Sequence, residues 1–100
     1  MAEVVWTDPA LQELSYIAEY IALDKPEAAR GLVKEVFEAV ERLQDFPLSG
    51  RTPLELPNSI YRELVVPPCR IFYRVDEGRA FILYVMRGER QLRLYMLGDS

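Results

Sequence analysis

Histidine is absent from this chain, and cysteine occurs once, at Cys69. Without histidine there is no imidazole to act as general acid or base near neutral pH. A transition-metal site would have to rest on carboxylates, so no metal and no cofactor is expected. A single cysteine excludes an internal disulfide and fits a reducing, cytoplasmic location. No apolar run approaches the roughly 20 residues that a membrane-spanning helix needs. The opening MAEVVWTDP has neither a basic n-region nor a long apolar stretch, so no secretory signal is expected. Phosphate-binding glycine loops, a GxSxG elbow and Cys/His ligand clusters are missing too. Lysine is missing from the second half, where every base from Arg51 onward is an arginine.

What is present suffices for one core. Of the 100 residues, 50% are hydrophobic and 28% charged, the composition of an ordered single domain covering residues 1–100. The net charge of −4 argues against coating nucleic acid, and no direct sequence-specific nucleic-acid binding is expected. That total hides an asymmetry. Residues 8–45 carry nine acids against four bases, whereas residues 51–97 carry eight arginines against five acids. Arginine presents a planar fork of donors suited to carboxylates and phosphates, so the second half is the one fitted to an anionic partner.

Periodicity supplies the elements. EVVW, residues 3–6, reads as a short strand. Asp8 as N-cap and Pro9 in the first turn start a helix with the apolar stripe Leu11, Leu14, Ile17, Ala18 and Ile21, ending near Leu23. Asp24-Lys25-Pro26 breaks it and opens a second helix with the stripe Ala29, Leu32, Val33, Val36, Phe37, Val40 and Leu43, stopped by Pro47. So short a break predicts an antiparallel helical hairpin. Gly31 within the second stripe either allows close helix approach or has no role. Residues 46–59, FPLSGRTPLELPNS, form a loop with a turn at Gly50-Arg51, pinned to the core by Leu54 and Leu56.

The stretch YRELVVPPCRIFYRV, residues 61–75, alternates with period two on both sides of Pro67-Pro68. It predicts two strands folded back at the prolines, which cannot donate to a ladder. Ile60, Arg62, Leu64 and Val66 share one face, and Tyr61, Glu63 and Val65 the other. After the bend, Ile71, Tyr73 and Val75 oppose Arg70, Phe72 and Arg74. Residues 80–86 follow the turn Asp76-Glu77-Gly78-Arg79; they are apolar on both sides, as in a central strand buried on two faces. Residues 91–97, QLRLYML, fit a further strand or a helical turn. The fold class is α+β: two layers in the order β-αα-βββ, with the helical hairpin on one face of a mainly antiparallel sheet. Trp6, Phe37, Phe72 and Phe81 are assigned to the core.

Little catalytic chemistry is available. Glu35, Glu38 and Glu41 are spaced as helical neighbours but fall on the polar face of the second helix. Cys69 sits beside Arg70, whose charge would lower its pKa, yet it lacks a histidine base. One constellation remains. Arg70 opens a strand, and Arg87 and Arg90 close the next, so an antiparallel pairing gathers them at one end of the sheet, where Arg51 and Tyr95 can join. Such a cluster suits a phosphate or a carboxylate-rich partner; the alternative is a set of salt bridges to Glu63 and Glu89.

VVWTDPALQELSYIAEYIALDKPEAA, FPLSGR, RELVVPPCRIFYRV and ILYVMRGER, spread in this order from Val4 to Arg90, resemble the ParE/RelE superfamily of bacterial type II toxins, and more closely its ParE branch. The resemblance implies the fold already reached, and a toxin neutralised by a ParD-like antitoxin. In the ParE branch it implies DNA gyrase as target and no chemistry. In the RelE branch it implies metal-free cleavage of messenger RNA on the ribosome, with Arg70 and Arg90 where catalytic arginines fall and Tyr95 near the C-terminal tyrosine. The absence of a lysine-rich surface favours gyrase. Arg87 departs from the histidine that most ParE-like chains place before the glycine. A third reading is a degenerate toxin that binds only its antitoxin. An antitoxin tail is expected along Leu14, Ile17 and Val36 of the helices, reaching Arg51, Arg70, Arg87 and Arg90.

Overall fold

The computed structural model describes residues 1–98. Strand β1 (Glu3–Trp6) leads into helices α1 (Asp8–Ala22) and α2 (Pro26–Glu41), and α2 tightens into a 3-10 turn at Arg42–Gln44. A long loop reaches β2 (Arg62–Val66), followed by β3 (Cys69–Asp76), β4 (Arg79–Arg87) and a last 3-10 turn at Leu94–Leu97. The sheet order is β1-β4-β3-β2; β1 runs parallel to β4 and the other pairs are antiparallel. Both helices pack on one face, giving the two-layer α+β architecture expected from pattern.

The start of α1 differs by one residue from expectation. Thr7, not Asp8, is the N-cap: its hydroxyl accepts the Ala10 amide and donates to the Ile82 carbonyl at 2.6 Å. One side chain therefore caps the helix and fastens it to β4. Asp8 becomes the first helical residue, where its charge complements the helix dipole. Inward-facing residues are Ala10, Leu14 and Ile17 of α1 and Ala29, Leu32, Val36, Ala39 and Val40 of α2. Leu11 and Phe37 turn to the shoulders and stay well exposed. Phe37 is thus not the core residue expected; it packs at a tilt against half-buried Trp6 with ring centroids 4.8 Å apart. Gly31 has no atom within 4 Å of where a Cβ would stand, so it does not serve helix approach.

The hairpin faces fall as the alternation requires. Leu64, Val66, Ile71, Tyr73 and Val75 join the helices in the main core. Tyr61 and Phe72 lie on the opposite face, in a second apolar cluster with Leu83, Met86, Leu92 and Leu97. β4 is covered on both sides, and its uneven alternation has a cause. Phe72 pairs with Tyr84 but Tyr73 pairs with Ile82, which leaves Leu83 as an extra residue in a bulge. Ala80 and Ile82 face the helices before the bulge and Val85 after it. The C-terminal residues 91–97 take the helical-turn alternative, not the strand.

The long loop is fixed by Tyr73. Its hydroxyl donates to the Pro47 carbonyl and accepts the Gly50 amide, each at 2.8 Å. Burial pushes the phenol pKa up, keeping it protonated for that donation. Leu56 joins the second cluster, but Leu54 is 85% exposed and anchors nothing; Pro53 is buried in its place. Gly50 is required by close approach: a Cβ there would stand 2.6 Å from the Tyr73 hydroxyl and 2.8 Å from the Glu63 carbonyl oxygen. Gly50→Ala should therefore lower stability by about 2–3 kcal/mol, the scale of overpacking plus a lost buried hydrogen bond. Urea unfolding midpoints at constant slope measure it.

Candidate functional site

Arg70 lies at the centre of a charged network on the sheet face away from the helices. Strand pairing places it beside Glu63 of β2, and the loop brings Glu55 over it. Its Nε and Nη2 donate to the two Glu63 oxygens at 3.0 and 2.9 Å. Its Nη1 and Nη2 donate to the two Glu55 oxygens at 2.8 and 2.7 Å. The guanidinium carbon stands 4.9 Å from the centre of the Phe72 ring. The arginine side chain is 14% exposed and the Glu63 side chain fully buried. Such doubly bidentate pairing holds the arginine protonated, and the hydrogen bonds from Arg70 draw the Glu55 carboxyl from 4.5 down to about 2 against the opposing effect of burial. Glu55 Oε2 also accepts the Leu92 amide at 3.2 Å, so loop, strand and C-terminal segment meet at one carboxylate.

The arginines gather at one end of the sheet but not on one face. Cys69 pairs with Arg87 and Arg70 with Met86, so the two arginines sit side by side in sequence register. Arg70 points to the outer face with Phe72. Arg87 points to the helix side, 5.8 Å from the Tyr20 ring of α1, and its Nε donates to Glu89 at 2.8 Å. The physical reason is the alternation itself: neighbouring register positions on adjacent strands at this end project to opposite faces. A single clamp of Arg70, Arg87 and Arg90 is therefore corrected to two separate groups. Arg51 belongs with Arg70: its backbone bridges Glu63 in both directions and its guanidinium approaches Glu63 Oε2 at 3.5 Å. Arg90 makes no ion pair among the described residues, and Tyr95 is 80% exposed.

Leu14, Ile17 and Val36 are buried in the main core, 3%, 8% and 0% exposed, and offer a partner no surface without opening the fold. The apolar surface that the helices leave open lies one position round. An open groove of about 480 Å³ runs between α1 and α2, lined by Ala18, Ala22, Pro26, Ala29 and Val33, with Glu19, Arg30 and Lys34 at its rim. Cys69 departs from expectation too: it is buried, and burial pushes its thiol pKa up, outweighing the nearby Arg87 charge. Glu55 was not singled out in the sequence. Its signal was faint, a lone acid between leucines in the proline-rich PLELP of the loop. No helix among the described residues is long and apolar enough to cross a membrane.

Known proteins resemble this chain in sequence and fold. The family model for the ParE toxin of type II toxin-antitoxin system, parDE, matches residues 4–92. Toxin RelE2 of Caulobacter vibrioides is 37% identical over 91 residues, 90% of this chain and 99% of that protein. Putative toxin Y4kP of Sinorhizobium fredii is 39% identical over 88 residues, 86% of this chain and 88% of its own. A chain of the chromosomal ParDE system from P. aeruginosa superposes with a TM-score of 0.75 at 28% identity, covering 89% of this chain and 98% of that one. In the toxin-antitoxin complex RelBE2 from Mycobacterium tuberculosis, a chain shares the fold with a TM-score of 0.56 at 22% identity, over 86% of this chain and 96% of that one. With its helical hairpin on a four-stranded mixed sheet and a family match across nearly all of its elements, the chain belongs to the ParE toxin family of type II toxin-antitoxin systems.

Proposed function

We propose that this chain is a cytoplasmic toxin that inhibits DNA gyrase by binding, and that a ParD-like antitoxin neutralises it. The observation that supports binding over chemistry is the state of Arg70. Arg70 donates four hydrogen bonds to two carboxylates, using four of its five N–H groups, and Glu63 beneath it is buried. An arginine so engaged has a single N–H, on Nη1, left for a phosphate oxygen, too few for the bidentate grip that a phosphate clamp uses. With Arg70 held by its own carboxylates, Arg90 and Tyr95 are the exposed members of an RNA-cleaving set. The net charge of −4 points the same way, because binding RNA draws on positive charge that neutralises phosphates. A second reading, cleavage of messenger RNA on the ribosome, draws on the name Toxin RelE2 carried by a relative and on the exposed Arg90 and Tyr95.

For the antitoxin, the outer groove between α1 and α2 replaces the buried stripe. Its small residues Ala18, Ala22 and Ala29 allow an apolar helix face to approach closely, with Arg30 and Lys34 available to acidic side chains at the rim. Titrating the purified protein into a gyrase supercoiling reaction should stall supercoiling and accumulate cleaved DNA complexes. Adding the antitoxin encoded beside it should restore the reaction. Ala22→Glu with Val33→Glu should weaken that rescue by about 100-fold or more in antitoxin concentration, since two charges would be buried unpaired. Unchanged supercoiling with messenger RNA cut in a translating extract would transfer the assignment to the RNA-cleaving reading.

A further inference from the structure

The second apolar cluster is roofed by a segment with few ties to the rest of the fold. Phe72, Leu83 and Met86 form its floor on the sheet, and Leu92 and Leu97, each 2% exposed, press on it from above. Between those two leucines Arg93, Leu94 and Tyr95 face solvent. Internal hydrogen bonds shape the segment: Met96 donates to the Arg93 carbonyl and Gly98 to the Tyr95 carbonyl. Among the described residues its hydrogen bond to the rest of the chain is the Leu92 amide to Glu55 Oε2. That same oxygen accepts from Arg70 Nη1. The segment leaves β4 through the exposed residues 88–90 and ends at Gly98, whose φ of +71° suits glycine.

We propose that residues 91–97 form a strap, fastened by Glu55 across the outer face of the sheet, and that the strap controls access to Arg70. Two buried leucines and one carboxylate hold it down; it has no place in the sheet ladder, so it opens without unfolding β3 or β4. When it lifts, Glu55 loses one of its partners and the apolar floor beside Arg70 is uncovered. Closed, the strap keeps the guanidinium largely buried, with four of its five N–H groups on carboxylates. Open, it presents a cation flanked by Phe72, a surface suited to an incoming carboxylate, the group that Arg70 already holds. This holds whichever macromolecule the toxin binds.

The experiment couples amide hydrogen exchange to modification by phenylglyoxal, which reacts with accessible guanidinium groups and is mapped by mass spectrometry. In the wild-type protein Arg90 should react quickly and Arg70 at least about tenfold more slowly, and amides of residues 92–98 should exchange faster than those of Ile71, Tyr73 and Val85. Leu97→Ser removes one anchor without touching the ion pairs. It should raise strap exchange and Arg70 modification together by about tenfold, leaving β3 and β4 exchange unchanged. Glu55→Gln keeps both leucines and weakens the fastening, and should act in the same direction. The proposal is overturned if Arg70 reacts as fast as Arg90 in the wild type. It also fails if Arg70 stays protected while the strap exchanges freely, or if β3 and β4 lose protection in step with residues 92–98, which would make the segment part of the core.

Discussion

Arg70→Ala should cost about 3–5 kcal/mol of folding stability, because it strands two carboxylates, one of them fully buried, without a counter-charge. Glu63 is 1% exposed and takes hydrogen bonds from Arg70 through both oxygens. Arg51 cannot replace what is lost, since its guanidinium stands 3.5 Å from one oxygen and is itself largely in solvent. The loss therefore reflects an unpaired buried charge more than the worth of the ion pair. That distinction has a measurable consequence. Adding Glu63→Gln and Glu55→Gln to Arg70→Ala should recover part of the stability, because neutral amides cost less to leave without a cation. Arg70→Lys should fall between, as an ammonium cannot match two carboxylates with a planar fork. Equilibrium urea unfolding of the wild type and the three variants measures the series. A loss below about 1 kcal/mol for Arg70→Ala would place the network among weak surface pairs.

Acid should unfold or loosen the protein between pH 4.5 and about 2, and Glu55 should account for a large part of that. Its carboxyl is held at about 2 in the fold against an ordinary 4.5, chiefly by hydrogen bonds from Arg70. A depressed carboxylate stabilises the fold fully above its unfolded pKa and loses that contribution as pH falls through the folded one. The contribution is therefore complete above pH 4.5, declines below it, and is gone near pH 2. A drop from 4.5 to about 2 corresponds to about 3 kcal/mol as an upper bound. Urea midpoints collected at pH 6, 4, 3 and 2.5 should fall steeply in the wild type. Glu55→Gln should start lower at pH 6 and show a shallower slope. Equal slopes in the two proteins would mean that other carboxylates carry the acid response.

Much of the architecture was legible because it depends on local periodicity. Apolar spacing gave two helices, and alternation around Pro67-Pro68 gave a hairpin with the correct residues on each face. The misreadings have local reasons as well. Thr7 caps α1 instead of Asp8 because its hydroxyl also reaches the Ile82 carbonyl, a contact 75 residues away in sequence. Leu83 disturbs the alternation of β4 because the strand bulges there, and a period-two reading has no way to place an extra residue. The spacing of Leu14, Ile17 and Val36 fits a partner surface, yet the same stripe is what the sheet needs for its own core. In one sequence, a face that docks a partner and a face that packs inward share the same spacing.

The arginines mark the boundary between the two kinds of information. Sequence by itself determined the helix and strand order, the acidic and basic halves, and the approach of Arg70 and Arg87 at one end of a strand pair. Those follow from periodicity and chain reversal. Tertiary structure alone decided that these two guanidinium groups project to opposite faces, and that Glu55 from a distant loop closes over Arg70. It also turned residues 91–97 into a cover for the outer face. The physical reason is that pairing and coverage depend on contacts between segments far apart in the chain, whose energies no local pattern records.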